Sequence, residues 1–344
     1  MVLKRAIARL VERSDLSREE MAEAFEAIFA GSVGPAQMAA FLIALRMKGE
    51  TPEEIAGAAS VMRDRATRVR CPPGRAILDT CGTGGDGAHT FNVSTAVALV
   101  AAAAGITVAK HGNRSVSSRC GSADVLEAAG VTVDADVGVV ERCIERVGIG
   151  FLFAPRFHGA MKHVAPIRRD LAVRSIFNLL GPLANPAFAT HQLLGVYDAA
   201  LVPVMARTLA ALGTSRALVV HGDGGLDEVS PFGPTKAALV EGDRVEELVL
   251  SPDDAGVQPI AREQLAGGTP EHNARVLVEI LDGRDAGPAQ AVVLNAAGAL
   301  WIAGMARSFR EGADQARDIL SSRAALAKLE ALAAESRNAE QQAS

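Results

Sequence analysis

Apolar residues recur at helical spacing from residue 3 to about 68, and two start signals punctuate that stretch. Ser17-Arg18-Glu19-Glu20 has the capping-box pattern, in which a hydroxyl and the carboxylate three positions on satisfy each other's backbone N–H. Thr51-Pro52-Glu53-Glu54 adds proline at the first helical position. No strand pattern interrupts them, so residues 1–70 are expected to form a small helical domain. Cys71-Pro72-Pro73-Gly74 marks a linker. From Arg75 the pattern changes: short β-like runs at 76–79, 106–109, 131–133, 149–153, 217–220 and 291–294 alternate with helical stretches. That alternation predicts an α/β domain over residues 75–335 with a mostly parallel central sheet covered by helices. The Ala-rich run from Ser94 to Ala109 is broken by Gly105 and reads as a buried helix passing into a strand. It falls short of the roughly 18 apolar residues of a membrane span. Residues 336–344 read as a frayed tail.

Composition narrows the partners. With 344 residues, 49% of them hydrophobic, the chain buries a substantial core. A net charge of −5 gives no global positive field to attract nucleic acid or an anionic membrane, so any anion site must be local. Four cysteines at 71, 81, 120 and 143 lack C-x-x-C spacing, which argues against structural zinc and a disulfide framework and for a reducing compartment. The first fifteen residues carry charge every few positions and lack the apolar core of a secretory signal; a cytoplasmic location is expected.

Chemistry enters after the first β-like run, at Asp79-Thr80-Cys81-Gly82-Thr83-Gly84-Gly85-Asp86-Gly87. Glycines between a strand and a helix let backbone amides converge on an anion. A P-loop would need Lys and Ser/Thr directly after the last glycine, where this chain has Ala88-His89. A dinucleotide site would want an acid about 20 positions on, where the second strand ends in Lys110-His111. From Ala88 to Ala123 there is no acidic residue, while Lys110, Arg114 and Arg119 are basic and small polar groups are dense. Such a segment suits a ligand with more than one phosphate. Asn92-Val93-Ser94-Thr95 also suits a helix cap, and the two roles are compatible. Farther on, Asp227-Glu228 lies in a glycine-rich loop after the 217–220 run, a pattern shared by Mg²⁺ ligands and by solvated loops.

These segments carry a resemblance. Gly82-Thr-Gly-Gly-Asp86, Asn92-Val-Ser-Thr95, Lys110-His-Gly-Asn-Arg114, Gly121-Ser-Ala-Asp124 and Phe177-Asn-Leu-Leu-Gly-Pro-Leu-Ala-Asn-Pro186 resemble the anthranilate phosphoribosyltransferases, through about residue 310. The resemblance implies the two-domain fold shared with nucleoside phosphorylases, with a helical segment near 165–190 joining the helical domain. It implies transfer of phosphoribosyl from phosphoribosyl pyrophosphate to anthranilate in tryptophan synthesis, Mg²⁺ as a pair of ions per subunit, and a homodimer. It places the donor against Gly82, Gly85, Asp86, Thr90, Asn92, Val93, Ser94, Thr95, Lys110, His111, Gly112, Asn113, Arg114, Ser115, Val116, Ser117, Ser118 and Ser122. Anthranilate falls to Gly82, Asn113 and Arg168, with His111 a further positioning group, and the metal to Ser94, Asp227 and Glu228. Arg168 suits a carboxylate because a planar guanidinium grips it with two parallel bonds, although Arg168, Arg169 and Arg174 also read as a basic surface run. Leu171-Ala-Val-Arg174-Ser175 departs from the family's usual Leu-Gly-x-Arg-Thr. Two rival readings are a pyrimidine nucleoside phosphorylase and a noncatalytic relative that binds nucleic acid.

Overall fold

The capping signals at the start of the chain define real helix ends. In the computed structural model, which describes residues 2–115, 119–284 and 287–338, Ser17 and Thr51 each form the full reciprocal box with Glu20 and Glu54. The helices are α1 (Val2–Val11), α2 (Arg18–Phe29), α3 (Pro35–Lys48) and α4 (Pro52–Asp64). The chain continues through β1 (Ile77–Gly82), α5 (Val93–Ala103), β2 (Thr107–Gly112), α6 (Ser122–Ala128), α7 (Val137–Val147) and β3 (Ile149–Phe153). A short turn of helix, α8 (Ala154–Phe157), leads to α9 (Ala165–Leu171) and α10 (Phe177–Leu183). Then follow β4 (His191–Gly195), α11 (Leu201–Ala211), β5 (Arg216–Gly222), β6 (Thr235–Glu241), β7 (Arg244–Leu250), α12 (Pro270–Leu281), α13 (Gly287–Ile302), α14 (Phe309–Ser321) and α15 (Ala324–Asn338).

The seven strands form one sheet in the order β3-β2-β1-β4-β5-β6-β7, parallel from β3 to β5 and antiparallel beyond. Its two faces belong to two cores, and strand alternation assigns them. Leu193, Leu218 and Val220 point into a core with α5, α13 and α15, whereas Leu194, Ala217 and Val219 point into a core shared with α2, α4 and α11. The second core includes α10: Phe177 packs against Phe25 and Phe29, with ring centroids 5.5 and 6.3 Å apart, and Phe25 in turn meets Phe41. Each buried Phe is worth about 1.5–3 kcal/mol, so the aromatic cluster ties α10 firmly to the N-terminal helices.

Several expectations are corrected. Residues 131–133 form no strand; Val131 and Val133 are buried in an irregular segment whose Thr132 N–H donates to Ser336 Oγ at 3.1 Å. Residues 291–294 lie inside α13, whose Ala-rich flanks favour a helix buried almost all round. The expected tail starts too early, because Ser336 is itself buried and α15 runs on to Asn338. All four cysteines are free, and among the described residues no helix is long and apolar enough to cross a membrane.

Ala172 ends α9 in the left-handed region, at φ 49° and ψ 26°. Its Cβ is strained there by roughly 1–2 kcal/mol, a cost glycine does not carry. Ala172→Gly should therefore stabilise the protein by about 1 kcal/mol, or about 1–2 °C of Tm in thermal unfolding. A Tm equal to or below the parent's would show that the turn tolerates a Cβ without strain.

Candidate active site

The chain builds β1, β2 and β3 in one direction and then crosses back to place β4 on the other side of β1. At such a reversal the connections leave in opposite directions and open a crevice at the carboxyl ends of the strands, where α/β proteins bind ligands. Here β1, β2, β4 and β5 all end in glycine, at Gly82, Gly112, Gly195 and Gly222. The missing side chains make room for a covering loop. A Cβ on Gly82 would sit 2.3 Å from Asp227 Oδ2, one on Gly195 1.5 Å from Asp227 O, and one on Gly222 2.5 Å from Glu228 O. The loop after β5 thus folds down onto the strand ends, and Gly84 N–H donates to Asp227 Oδ2 at 2.8 Å. Gly84, Gly85 and Gly87 all take positive φ, a conformation that favours glycine in this loop.

Below the loop lies a buried polar network. Lys110, 2% exposed, donates from Nζ to Thr80 O at 2.6 Å and to Ser94 Oγ at 3.3 Å. Burial lowers its pKa, while Asp79, Cys81 and Glu228 pull the other way. Asp79 is fully buried and pushed up to about 6, even though its carboxylate accepts His111 N–H at 3.1 Å and Asn185 Nδ2–H at 2.8 Å. His111 Nε2 lies 3.2 Å from His158 Nε2 in a buried pair. Burial drops their pKa values to about 3 and about 4, so both rings are neutral near pH 7. Backbone groups at Gly181 and Ala184 hold the two rings, which gives the 177–186 segment a role in orienting them.

Asp227 and Glu228 bring like charge to the mouth of the crevice. Burial and Asp86 raise the Asp227 carboxyl to about 7, and burial with Asp227 pushes Glu228 well up, against the pull of Lys110. Hard oxygens crowded until they resist ionisation suit a small divalent cation. Among the described residues no three His, Cys, Asp or Glu converge as a ready metal cage. Mg²⁺ is commonly held by one or two carboxylates together with substrate phosphates.

Other expected site residues sit less directly. Asn113 is exposed, and Ser122 Oγ donates to its carbonyl at 3.3 Å. Arg114 is drawn to the rim by Asp124 and Glu127, at 3.0 and 2.7 Å, while Asp124 also accepts Ser115 N–H and Gly121 N–H. Thr90 pairs with Ala266 in an isolated bridge. Val93 and Thr95 turn into the core, and Thr95 Oγ1 is buried without a hydrogen-bond partner. Val116, Ser117 and Ser118 lie outside the described residues. Arg168 is half-buried on α9 with its guanidinium 5.6 Å from the Phe177 ring centre, and no described contact joins it to Gly82 or Asn113. Arg174 instead reaches the glycine loop: it donates to Gly85 O and stacks 4.1 Å above Tyr197. Sequence reasoning missed Arg174, Tyr197, His158 and Asn185 as site residues; for Asn185 its place in the 177–186 motif was the available signal.

A helical bundle joined to an α/β domain with this crevice defines a class of glycosyl-transferring proteins. Residues 4–66 match the helical bundle domain of the glycosyl transferase family and residues 74–326 its a/b domain. The chain belongs to the anthranilate phosphoribosyltransferase family. It is 56% identical over 333 residues to the anthranilate phosphoribosyltransferase of Anaeromyxobacter dehalogenans (strain 2CP-C), covering 97% of this chain and 98% of the relative. With that of Myxococcus xanthus (strain DK1622) the identity is 54%, over 96% and 98%. The crystal structure of the enzyme from Thermus thermophilus superposes with a TM-score of 0.91 at 45% identity, covering 96% of this chain and 99% of that one. The Saccharomyces cerevisiae enzyme in complex with PRPP and Mg gives 0.89 at 29% identity, over 98% of each chain.

Proposed function

We infer that this chain transfers the 5-phosphoribosyl group of phosphoribosyl pyrophosphate to the amine of anthranilate, releasing pyrophosphate, in tryptophan biosynthesis. The observation that carries the reading is the crevice beside β1, where the glycine loop, buried Lys110 and the Asp227–Glu228 pair meet. Departure of pyrophosphate builds positive charge on the ribose and negative charge on the leaving group, and the latter needs the most stabilisation. The glycine-loop amides, Lys110 and Ser94 bind that charge from the protein side. Asp227, Glu228 and Ser94 would hold Mg²⁺, a pair of ions per subunit, which supplies charge neutralisation on the pyrophosphate oxygens. Anthranilate's amine is already neutral near pH 7, so orientation matters more than a strong base. The neutral His111–His158 pair and Asn113 position the ring rather than exchange protons with it.

We assign the acceptor carboxylate to Arg168, whose half-buried guanidinium has no ion pair among the described residues. Arg168→Ala should raise the KM for anthranilate about tenfold or more, since a charge-assisted bond is worth about 1.5–3 kcal/mol, and leave the donor KM nearly unchanged. Equal effects on both substrates would refute the assignment. The protein acts in the cytoplasm as a homodimer through its helical domain, where Val11 on α1 and Met47 on α3 are 68% and 70% exposed. The direct test of the reaction is the loss of anthranilate fluorescence on adding phosphoribosyl pyrophosphate with Mg²⁺, then with EDTA. Turnover abolished by EDTA is expected; no turnover by folded protein under either condition would overturn the reading.

A further inference from the structure

Asn273 stands in the first turn of α12, a place where asparagine is normally solvated, yet it is only 1% exposed. Both ends of its amide are used. Oδ1 accepts Gly268 N–H at 2.7 Å, and Nδ2 donates to Asn92 Oδ1 at 2.9 Å. Asn92 Nδ2 in turn donates to Cys120 O at 3.2 Å. These bonds fix the direction of the Asn92 amide: oxygen toward α12, nitrogen toward the loop that follows β2. One N–H of that nitrogen is left for another acceptor. The same segment also registers the backbone leading to Asn92. Phe91 N–H donates to Leu265 O at 3.1 Å and Gly267 N–H to His89 O at 2.8 Å. A Cβ on Gly267 would sit 2.5 Å from Thr90 O, so the two strands of this contact lie as close as backbones allow. Residues 265–273 therefore brace residues 89–92 through both backbone and side chain.

We propose that Asn273 is a positioning residue for the phosphoribosyl pyrophosphate donor, acting by holding the Asn92 amide with its nitrogen turned toward the ligand. The inference rests on placing the donor at Asn92, as the family resemblance implies. Phosphate oxygens only accept hydrogen bonds, so a correctly turned amide attracts them and a flipped one repels them. Without Asn273, the Asn92 amide keeps its bond to Cys120 O but loses the partner that holds its oxygen.

Two substitutions separate this role from a packing role. Asn273→Asp keeps the shape and the bond to Gly268 N–H but sets a carboxylate oxygen against Asn92 Oδ1, which displaces the Asn92 amide from the orientation that its bond to Cys120 O favours. Asn273→Ala removes the bond without imposing the wrong orientation. The donor KM, and the donor affinity measured by calorimetry with Mg²⁺, should weaken about tenfold for Asp and about threefold for Ala, in line with the loss of one hydrogen bond or its replacement by a repulsion. Anthranilate KM should stay within about twofold, because the acceptor contacts lie elsewhere. In an Asn92→Ala background the effect of Asn273→Asp should vanish. A role in packing alone predicts the opposite order, with Ala worse than Asp and both substrates affected together. That order, an unchanged donor affinity, or an Asp effect that survives in the Asn92→Ala background would overturn the proposal. If Asn273→Asp does not fold, Asn273→Ala decides: a donor-specific loss supports the proposal, and no loss or a general one overturns it. Calorimetry reads the brace whether or not the unmodified enzyme turns over anthranilate, whereas absent turnover counts only against the functional reading.

Discussion

Replacing Asp227 with asparagine should lower kcat/KM for the donor about 100-fold while raising Tm at pH 8 by a few degrees. The two effects have one cause. Burial and the neighbouring Asp86 raise the Asp227 carboxyl from its ordinary 3.8 to about 7, so the fold disfavours the charge that metal and donor binding require. Between pH 4 and 7 the folded protein keeps a proton that the unfolded chain has already released, and stability falls as pH rises through that window. Above pH 7 the full penalty applies. Asparagine has no charge to bury, and its Oδ1 still accepts the Gly84 N–H that Asp227 accepts at 2.8 Å. The Tm gap between variant and parent should therefore be absent near pH 4 and greatest above 7. Equal Tm values at pH 8 would show that the carboxyl is not held against its charge. Retained activity would show that the loop after β5 does not serve the reaction.

The separation of stability from function also marks what a one-dimensional reading reaches. Helix starts were legible because a capping box is local: Ser17 with Glu20, and Thr51 with Glu54, satisfy each other within four residues. The strands rich in β-branched residues, β1, β2 and β5, were legible for the same reason. β4, His-Gln-Leu-Leu-Gly, was not, since it has no β-branched residue and owes its conformation to pairing with β1 and β5 on either side. The antiparallel β6 and β7 were missed as well, and 291–294 misled because Val-Val-Leu reads as a strand until its alanine-rich flanks extend it into α13. Glycine-loop chemistry followed from local composition. The partners of the buried polar groups did not: Asn185 reaches Asp79 across 106 positions and His158 reaches His111 across 47. A free histidine or asparagine carries no local sign of its partner, so only the fold reveals that these groups are orienting elements. Arg174 was visible only as part of a basic run, and its stacking on Tyr197 depends on the turn at Ala172 and on the end of β4.

Lys110→Met should lower Tm by about 5 °C at pH 8 and abolish turnover, and only the first effect should be reversible by a second substitution. The lysine is buried between acids, with Asp79 and Glu228 both favouring its charge. Removing the cation leaves those acids uncompensated and takes the hydrogen bond from Thr80 O. Breaking a buried charge pairing from one side costs about 3–5 kcal/mol, most of it the cost of the stranded partner. The sign of the pH dependence follows. Asp79 already sits at about 6 with Lys110 present, and losing the cation pushes it higher. The folded variant then holds its proton to higher pH than the parent does, so the charge-linked destabilisation is fullest in alkali, shrinks as pH falls toward about 6 and is lost below it. Adding Asp79→Asn removes one stranded charge and leaves an oxygen to accept His111 N–H, so Tm at pH 8 should recover in part. Turnover should not recover, because the leaving pyrophosphate still lacks the buried cation. Thermal melts of the parent, the single variant and the double variant at pH 5 and 8 read the first claim, and the fluorescence assay reads the second. A Lys110→Met protein as stable as the parent at pH 8 would mean that Asp79 is not held by this charge. Recovered turnover in the double variant would mean that Lys110 supports the fold of the crevice and not the chemistry inside it.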